Sequence, residues 1–440
     1  MVTQSVDRMR VDPTGPLKGE LTLPGDKSIT HRAIILASLA DGVSEIVGAL
    51  HSDDCRHTAI ACGMLGATID VFGNDRLQIR GCGLGGVKEP VEVLDVGNSG
   101  TTMRLLAGVL AAQPFFSVLT GDQYLRARPM ARVAVPLRSM GATILGREGG
   151  NLPPLAIMGT HLKAIEYVSP IASAQVKSAI LLAGLLTAGE TTVTEPSLSR
   201  DHTERMLEAV GIPIHRHGLS LRVNGIQKIP AFQVAIPGDF SAAAFFLVAA
   251  LVIPGSELTL RNVGMNPTRT GLLDALRSMG AAIEISSTRT VCGEPVADLS
   301  VKSQVLHGTE VGGTLIPRMI DEIPIFAVAA ALAQGTTIIR DATELRVKEV
   351  DRLAALTQEL RRFGVQIEQH PDGLVLQGRS SLSGTHCDSW GDHRMAMALT
   401  VAGLTAHGSS SISDPSCVSS SFPDFWARLN RLLPGAVVPS

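Results

Sequence analysis

Residues Leu23-Pro-Gly-Asp-Lys-Ser-Ile-Thr-His-Arg32 lead into the small-residue run Ala33-Ile-Ile-Leu-Ala-Ser-Leu-Ala40, which closes at Asp41-Gly42. Pro24-Gly25 breaks a short apolar segment, and Asp26, Ser28 or Thr30 can cap the buried helix that the Ala/Leu/Ile run predicts. This puts a helix N-terminus beside Lys27, Ser28 and Arg32. Such an end presents unpaired N–H groups and the positive pole of the helix dipole, so the ligand to expect there is an anion. Taken alone, the stretch reads first as an ordinary cap with a surface lysine, since capped helices with nearby basic residues are common.

The arrangement recurs, however. Small-residue helices are expected after Asn98-Ser-Gly-Thr-Thr102 (Met103 to Ala112), Ser173-Ala-Gln175 (Val176 to Ala188), Gly238-Asp-Phe-Ser241 (Ala242 to Ile253), Asp321-Glu-Ile-Pro324 (Ile325 to Ala333) and Gly391-Asp-His-Arg394 (Met395 to Ala406). Each is followed by a β-branched segment, such as Thr191-Thr-Val-Thr194, and by a second helix ending in an apolar-Gly-apolar signature. The signature glycines are Gly66, Gly141, Gly211, Gly280, Gly364 and Gly435. They lie roughly 70 to 85 residues apart, a period that argues for repeated supersecondary units. Within each unit the expected order is helix, strand, helix, strand, turn, strand. In the first this means Thr30–Leu39, Glu45–Val47, Asp53–Leu65, Thr68–Phe72 and Leu77–Arg80. Hairpin-like turns are expected at Gly73-Asn-Asp75, Arg216-His-Gly218 and Pro371-Asp-Gly373. Each unit is thus α/β with a mixed sheet, and six units could close one ring or split three and three. The proline-flanked segment Ile229 to Pro237 is the best linker candidate.

A chain of 440 residues exceeds one ordinary core and suits two or more domains. The residues through Pro16 read as a loose lead-in. Met1 to Arg10 has no apolar targeting core, and the run Ala242 to Ile253 stops at Pro254 after 12 residues, too few to span a bilayer. A cytoplasmic protein without membrane partners is expected. A hydrophobic content of 45% rules out disorder, while 44 glycines with 3% aromatic residues suit helices packed through small side chains. The six cysteines form no CxxC pair, so thiols are expected rather than disulfides or a metal site. A net charge of −3 argues against a nucleic-acid surface.

Polar residues out of keeping with their neighbours collect at the helix starts: Asn98, Thr101, Arg104, Gln175, Lys177, Asp321, Glu322, His393 and Arg394. Arg126-Ala-Arg128-Pro129, Ser199-Arg-Asp-His202 and Glu344-Leu-Arg-Val-Lys-Glu-Val-Asp-Arg352 add basic segments. In the last, Lys348 and Arg352 are four apart and are expected on one helical face. No P-loop fits, since Asp26 precedes Lys27 and Leu21 stands at the first glycine position; no G-x-S-x-G elbow or HExxH motif occurs.

Leu23-Pro-Gly-Asp-Lys-Ser28, Gly97-Asn-Ser-Gly-Thr-Thr-Met-Arg104, Arg128-Pro-Met130, Ser173-Ala-Gln-Val-Lys-Ser-Ala179, Arg200-Asp-His-Thr203, Asn266-Pro-Thr-Arg-Thr270, Asp321-Glu322, Leu345-Arg-Val-Lys-Glu-Val-Asp-Arg352 and Asp392-His-Arg394 together resemble the 5-enolpyruvylshikimate-3-phosphate synthases. The resemblance runs from about Leu21 to Phe425, in order. It implies transfer of the enolpyruvyl group of phosphoenolpyruvate to the 5-hydroxyl of shikimate 3-phosphate, releasing phosphate by addition then elimination, in aromatic amino acid biosynthesis. It also implies an α/β fold: a two-domain inside-out α/β barrel of six βαβαββ-like repeats, three per domain, facing each other across a cleft. Residues 1–20 and 237–440 would form one domain and 21–236 the other. A monomer acting on small molecules, with no cofactor and no metal, is expected.

Two phosphates and two carboxylates must be held together, and Lys27, Arg32, Arg128, Arg200, Lys348, Arg352 and Arg394 supply the opposing charge. By similarity Ser28, Arg32, Ser173, Gln175, Arg200 and Lys348 face shikimate 3-phosphate. Lys27, Gly100, Arg128, Arg352 and Arg394 face phosphoenolpyruvate. Asp321 is implied as the base and Glu349 as the proton donor, with Lys27 able to shuttle. Gly100 suits close approach of a backbone to a ligand, and glyphosate is expected to compete at that same wall. Lys27 and Arg352 are read as anion contacts outside the core. Where many relatives have a lysine on the phosphate side, this chain has Ser420. The sister transferase acting on UDP-N-acetylglucosamine carries a cysteine before its Arg-Pro pair, and Gln113 to Val135 contains none. A non-catalytic anion-binding scaffold would not need Asp321 and Glu349 among the cations.

Overall fold

The computed structural model describes residues 7–73, 75–225 and 228–440. Met1 to Val6, the start of the expected lead-in, and Asn74, in the first expected turn, lie outside the described residues. The chain divides into two compact units: one runs to Pro24 and resumes over Gly238–Arg289 and Pro295–Ser440, while the other comprises Gly25–Pro237 with Thr290–Glu294. Each has its own apolar core.

Among the described residues, six four-stranded sheets of identical plan carry the repeats. In the first, Asp41–Val47 and Thr68–Phe72 both run antiparallel to Arg76–Cys82, and a fourth strand, Gln233–Ala235, lies parallel to Asp41–Val47. Two of these parallel strands are exchanged relative to chain order. Lys18–Thr22, which precedes the helix Lys27–Leu39, joins Glu257–Gly264 of the fourth repeat. Gln233–Ala235, the expected linker, precedes the helix Phe240–Val252 yet completes the sheet of the first repeat. The α/β repeat architecture expected from the sequence is present, three repeats to a unit.

The lead-in is not loose where it is described. Arg8–Val11 pairs antiparallel with both Ser410–Ser413 and Val437–Pro439, supplying the closing strand that the sixth repeat lacks in sequence. Four residues with alternating burial suffice for it, Met9 and Val11 facing the core. The second expected turn also shifts, because the strand Ile214–His217 continues through His217 and the chain reverses at Gly218-Leu219.

The apolar-Gly-apolar signature is a helix stop. All six glycines have φ between +79° and +117°, a region costly for any residue with a Cβ. At the first, Ala67 N donates to Cys62 O at 3.2 Å beyond the end of Asp53–Met64, and Leu65 and Ala67 on either side are buried. The six leading helices, in contrast, are buried nearly all round. Phe240–Val252 keeps every residue but Val252 in the core, which is why these segments read as apolar runs without a polar face. Small side chains let such helices approach closely: a Cβ on Gly108 would fall 2.3 Å from Ala179 O of the helix Ala174–Leu185.

Candidate active site

In the unit Gly25–Pro237 the first repeat starts its helix at Lys27, with the Asp26 carboxylate accepting from Ile29 N at 2.9 Å. The remaining helical N–H groups stay at that end, and the basic side chains gather beside it. Lys27 Nζ meets Asp54 Oδ2 at 3.0 Å. Arg32, one turn on, donates from Nε to Thr203 Oγ1 (2.6 Å), from Nη2 to Ser178 Oγ (2.9 Å) and from Nη1 to Ser28 O (2.9 Å). Burial lowers its pKa to about 10, with Glu204 and Asp26 opposing and Arg200 adding to the shift. Arg32 therefore stays charged near neutrality, held in a fixed orientation by two hydroxyls and a backbone carbonyl.

A second group surrounds Gly100, the first residue of the helix Gly100–Ala111, which Ser99 caps. A Cβ at Gly100 would lie 3.0 Å from Arg128 Nη1 and 3.1 Å from Arg104 Nη1. Arg104 donates to Gln175 Oε1 and to Pro129 O (3.1 Å), and Gln175 Nε2 donates to Thr101 Oγ1 at 2.9 Å. Ser173 caps Ala174–Leu185, its Oγ accepting from Val176 N at 3.5 Å. Gly100, Arg128 and Gln175 are thus brought together, as are Ser28, Arg32 and Arg200. Lys177 plays a different part from its neighbours at this helix start: it is buried between Glu195 and Glu204, 2.8 Å from each.

The unit built on Gly238–Arg289 and Pro295–Ser440 carries the carboxylates. Arg352 is fully buried. Its Nε lies 2.7 Å from Asp392 Oδ2, its Nη2 2.7 Å from Glu349 Oε2, and its Nη1 3.5 Å from Asp321 Oδ1. Asp321 Oδ2 is also 3.6 Å from Arg394 Nη2. Asp392, with no exposed surface, caps His393–Leu404 by accepting from Arg394 N and Met395 N. Arg352 is therefore a core residue, correcting the reading that set it outside the core. Nor does it share a helical face with Lys348. A 3₁₀ helix over Thr343–Val347 ends at Lys348, and Arg352 begins a separate helix capped by Asp351. Burial lowers the Lys348 pKa, with Asp321 and Glu344 acting against it. Glu322 turns away from this chemistry into a buried group with Ser241 and Arg269. Ser420 Oγ donates to Cys417 O at 2.8 Å, a local 3₁₀ contact.

Asp54 was not singled out in the sequence. Its place in the first turn after the cap Ser52 signals helix initiation, and that signal carries nothing about Lys27. Among the described residues no group of three His, Cys, Asp or Glu could hold a metal ion, and no helix is long and apolar enough to cross a membrane. The six cysteines are free thiols, with burial pushing Cys55 and Cys62 up to about 12.

Residues 11–429 match the family model described as EPSP synthase (3-phosphoshikimate 1-carboxyvinyltransferase). A 3-phosphoshikimate 1-carboxyvinyltransferase of Desulforamulus reducens is 51% identical over 423 residues, covering 96% of this chain and 99% of that one. One from Gloeobacter violaceus is 54% identical over 96% of this chain and 98% of its own. Among solved structures, an EPSP synthase from Acinetobacter baumannii superposes with a TM-score of 0.87 at 41% identity, covering 98% of this chain and 99% of that one.

Proposed function

Since the chain belongs to the EPSP synthase family, we propose how its two sets of residues divide the reaction. That reaction transfers the enolpyruvyl group of phosphoenolpyruvate to the 5-hydroxyl of shikimate 3-phosphate and releases phosphate, a step of aromatic amino acid biosynthesis. The 5-oxygen adds to C2 of phosphoenolpyruvate while the methylene carbon gains a proton; the tetrahedral adduct then loses a methyl proton and phosphate. Asp321 takes the proton of the 5-hydroxyl and Glu349 delivers one to the methylene carbon, with Lys27 assisting. Ser28, Arg32, Ser173, Gln175, Arg200 and Lys348 hold shikimate 3-phosphate; Lys27, Gly100, Arg128, Arg352 and Arg394 hold phosphoenolpyruvate. The two compact units are the two domains, and the enzyme works as a cytoplasmic monomer on small molecules.

The observation that carries this reading is the grouping at Arg352. Its buried guanidinium holds Glu349 and is approached by Asp321, and both carboxylates remain 15% exposed. Cations fixed in advance can stabilise charge developing on a leaving phosphate without reorganising. Phosphate release measured with both substrates, each alone, and UDP-N-acetylglucosamine in place of shikimate 3-phosphate tests it. Release should require both phosphoenolpyruvate and shikimate 3-phosphate; release with the nucleotide sugar instead would overturn it.

Gly100 yields a sharper expectation. The wild-type enzyme should be inhibited by glyphosate competitively with phosphoenolpyruvate. A methyl group at Gly100 presses on the Arg128 guanidinium, and glyphosate, the longer molecule, has less room to shift. Overpacking of this kind typically costs ~1–3 kcal/mol, roughly 5- to 150-fold if the inhibitor alone bears it. Inhibition constants and KM values for wild type and Gly100→Ala check this, with inhibition weakening more than substrate binding. Equal proportional changes would refute it.

A further inference from the structure

Behind the Gly100 helix lies a chain of buried hydrogen bonds that the reaction described above does not use. His31 Nδ1 is 2.7 Å from Thr58 Oγ1, Thr58 Oγ1 is 2.6 Å from Thr102 Oγ1, and Thr102 Oγ1 is 2.6 Å from Ser99 Oγ. All four residues are at most 1% exposed. The proton order follows from the geometry. Ser99 Oγ already accepts from Thr102 N at 3.1 Å as the helix cap, and Thr102 Oγ1 donates to the same oxygen. Thr102 must then accept from Thr58. Thr58 can spend its one hydrogen on Thr102 at 2.6 Å or on Asp54 O at 3.2 Å, and the shorter bond wins. That leaves Thr58 accepting from an Nδ1–H of His31. Burial, with the Lys27 and Arg32 charges, holds the His31 pKa well below its usual value, so the ring is neutral and has one N–H to give.

We infer that Thr58 is a positioning residue for phosphoenolpyruvate, linking buried His31 through Thr102 to the Ser99 cap that orients Gly100. The inference rests on the reading that Gly100 faces that substrate. The helix Asp53–Met64 gives it a second foothold, since Asp54, one turn before Thr58, holds Lys27 at 3.0 Å. One helix therefore sets both a cation and a backbone wall assigned to the same ligand. Without the Thr58 hydroxyl, the His31 N–H loses its acceptor and Thr102 loses the donor that fixes its rotamer. Ser99 Oγ then keeps the Thr102 N–H but loses its fixed hydroxyl donor, and the first residues of the helix shift with it.

The test is steady-state kinetics on the full-length enzyme for Thr58→Val, Thr58→Ser and Gly100→Ala, with thermal melting alongside. Thr58→Val should raise the KM for phosphoenolpyruvate about 10-fold or more, with the KM for shikimate 3-phosphate within about twofold. Thr58→Ser, which restores the hydroxyl, should return it to within about twofold of wild type. A merely structural role would lower the melting temperature and move both KM values together, and that outcome overturns the inference, as does an unchanged phosphoenolpyruvate KM. If Thr58→Val does not fold, Thr102→Ala breaks the same chain one link nearer the cap and is measured in the same way. Should Gly100→Ala alter phosphoenolpyruvate or glyphosate binding while Thr58→Val does not, the relay fails and the site reading stands. If Gly100→Ala alters neither, the site reading itself fails.

Discussion

Arg352→Met should lose both turnover and stability, whereas Lys27→Met should lose turnover alone. The two cations are both assigned to phosphoenolpyruvate, but their surroundings differ. Arg352 is completely buried against Asp392, Glu349 and Asp321, so methionine takes the guanidinium away from all three, although Asp321 keeps Arg394. Breaking a buried pair from one side costs about 3–5 kcal/mol. Asp392 keeps the N–H groups of Arg394 and Met395, which offsets part of this. Loss of that size lowers the melting temperature of a unit this large by roughly 6 to 20 °C. Lys27 is 15% exposed and its partner Asp54 10%, so water can reach the carboxylate that Lys27→Met leaves behind, and melting should stay near wild type. Both variants should fall below about 1% of wild-type turnover, equivalent to about 2.7 kcal/mol of transition-state stabilisation. Phosphate release and scanning calorimetry on the two proteins check the pair of outcomes. Near wild-type turnover in either variant would contradict the site assignment. An unshifted melting temperature for Arg352→Met would contradict the account of its burial.

That contrast also shows what the sequence could and could not reveal. The six repeats were legible because each uses one stop signal, a glycine with positive φ flanked by buried apolar residues (in the sixth, Leu433 and Ala436, with exposed Pro434 intervening), and that chemistry survives whatever the rest of the repeat does. The leading helices were legible too, since an Ala/Leu run buried on every side has no other stable place. The closing strand Arg8–Val11 was not, because its partners lie some 400 residues away and four alternating residues carry little signal by themselves. The exchange of Lys18–Thr22 and Gln233–Ala235 was hidden for a related reason: strand pairing is decided by tertiary neighbours, and local order suggests the wrong sheet. In the site, residue types were legible and burial was not. The pattern Leu345-Arg-Val-Lys-Glu-Val-Asp-Arg352 has helical spacing, yet the backbone breaks after Val347, and Asp351 caps a new helix. Lys177 and Glu322 looked like the neighbours assigned to the site because buried ion pairs and ligand contacts draw on the same residue types.

Asp321→Asn and Glu349→Gln should each bind shikimate 3-phosphate with modest loss and turn over at least about 100-fold more slowly, the usual scale of general acid–base catalysis. Three carboxylates approach Arg352, and their surroundings separate them. Asp392 has no exposed surface and spends its oxygens on the guanidinium and on the first N–H groups of His393–Leu404, so it cannot reach a substrate proton. Asp321 and Glu349 each touch Arg352 and remain 15% exposed. Asp321 lies between Arg352 and Arg394, 3.5 Å and 3.6 Å away. Those cations hold the carboxylate in place. Glu349 Oε2 lies 2.7 Å from Arg352 Nη2. The amides keep the size of the originals and can still accept from the arginines, so binding changes little while the capacity to exchange a proton disappears. Rapid-quench single turnovers separate the two roles: Asp321→Asn should slow loss of phosphoenolpyruvate, the step in which the 5-hydroxyl must be deprotonated, with shikimate 3-phosphate affinity measured in parallel by calorimetry. Unchanged turnover in both variants would remove the proton-transfer assignments. Loss of binding equal to the loss of turnover would recast the two carboxylates as scaffolding for Arg352.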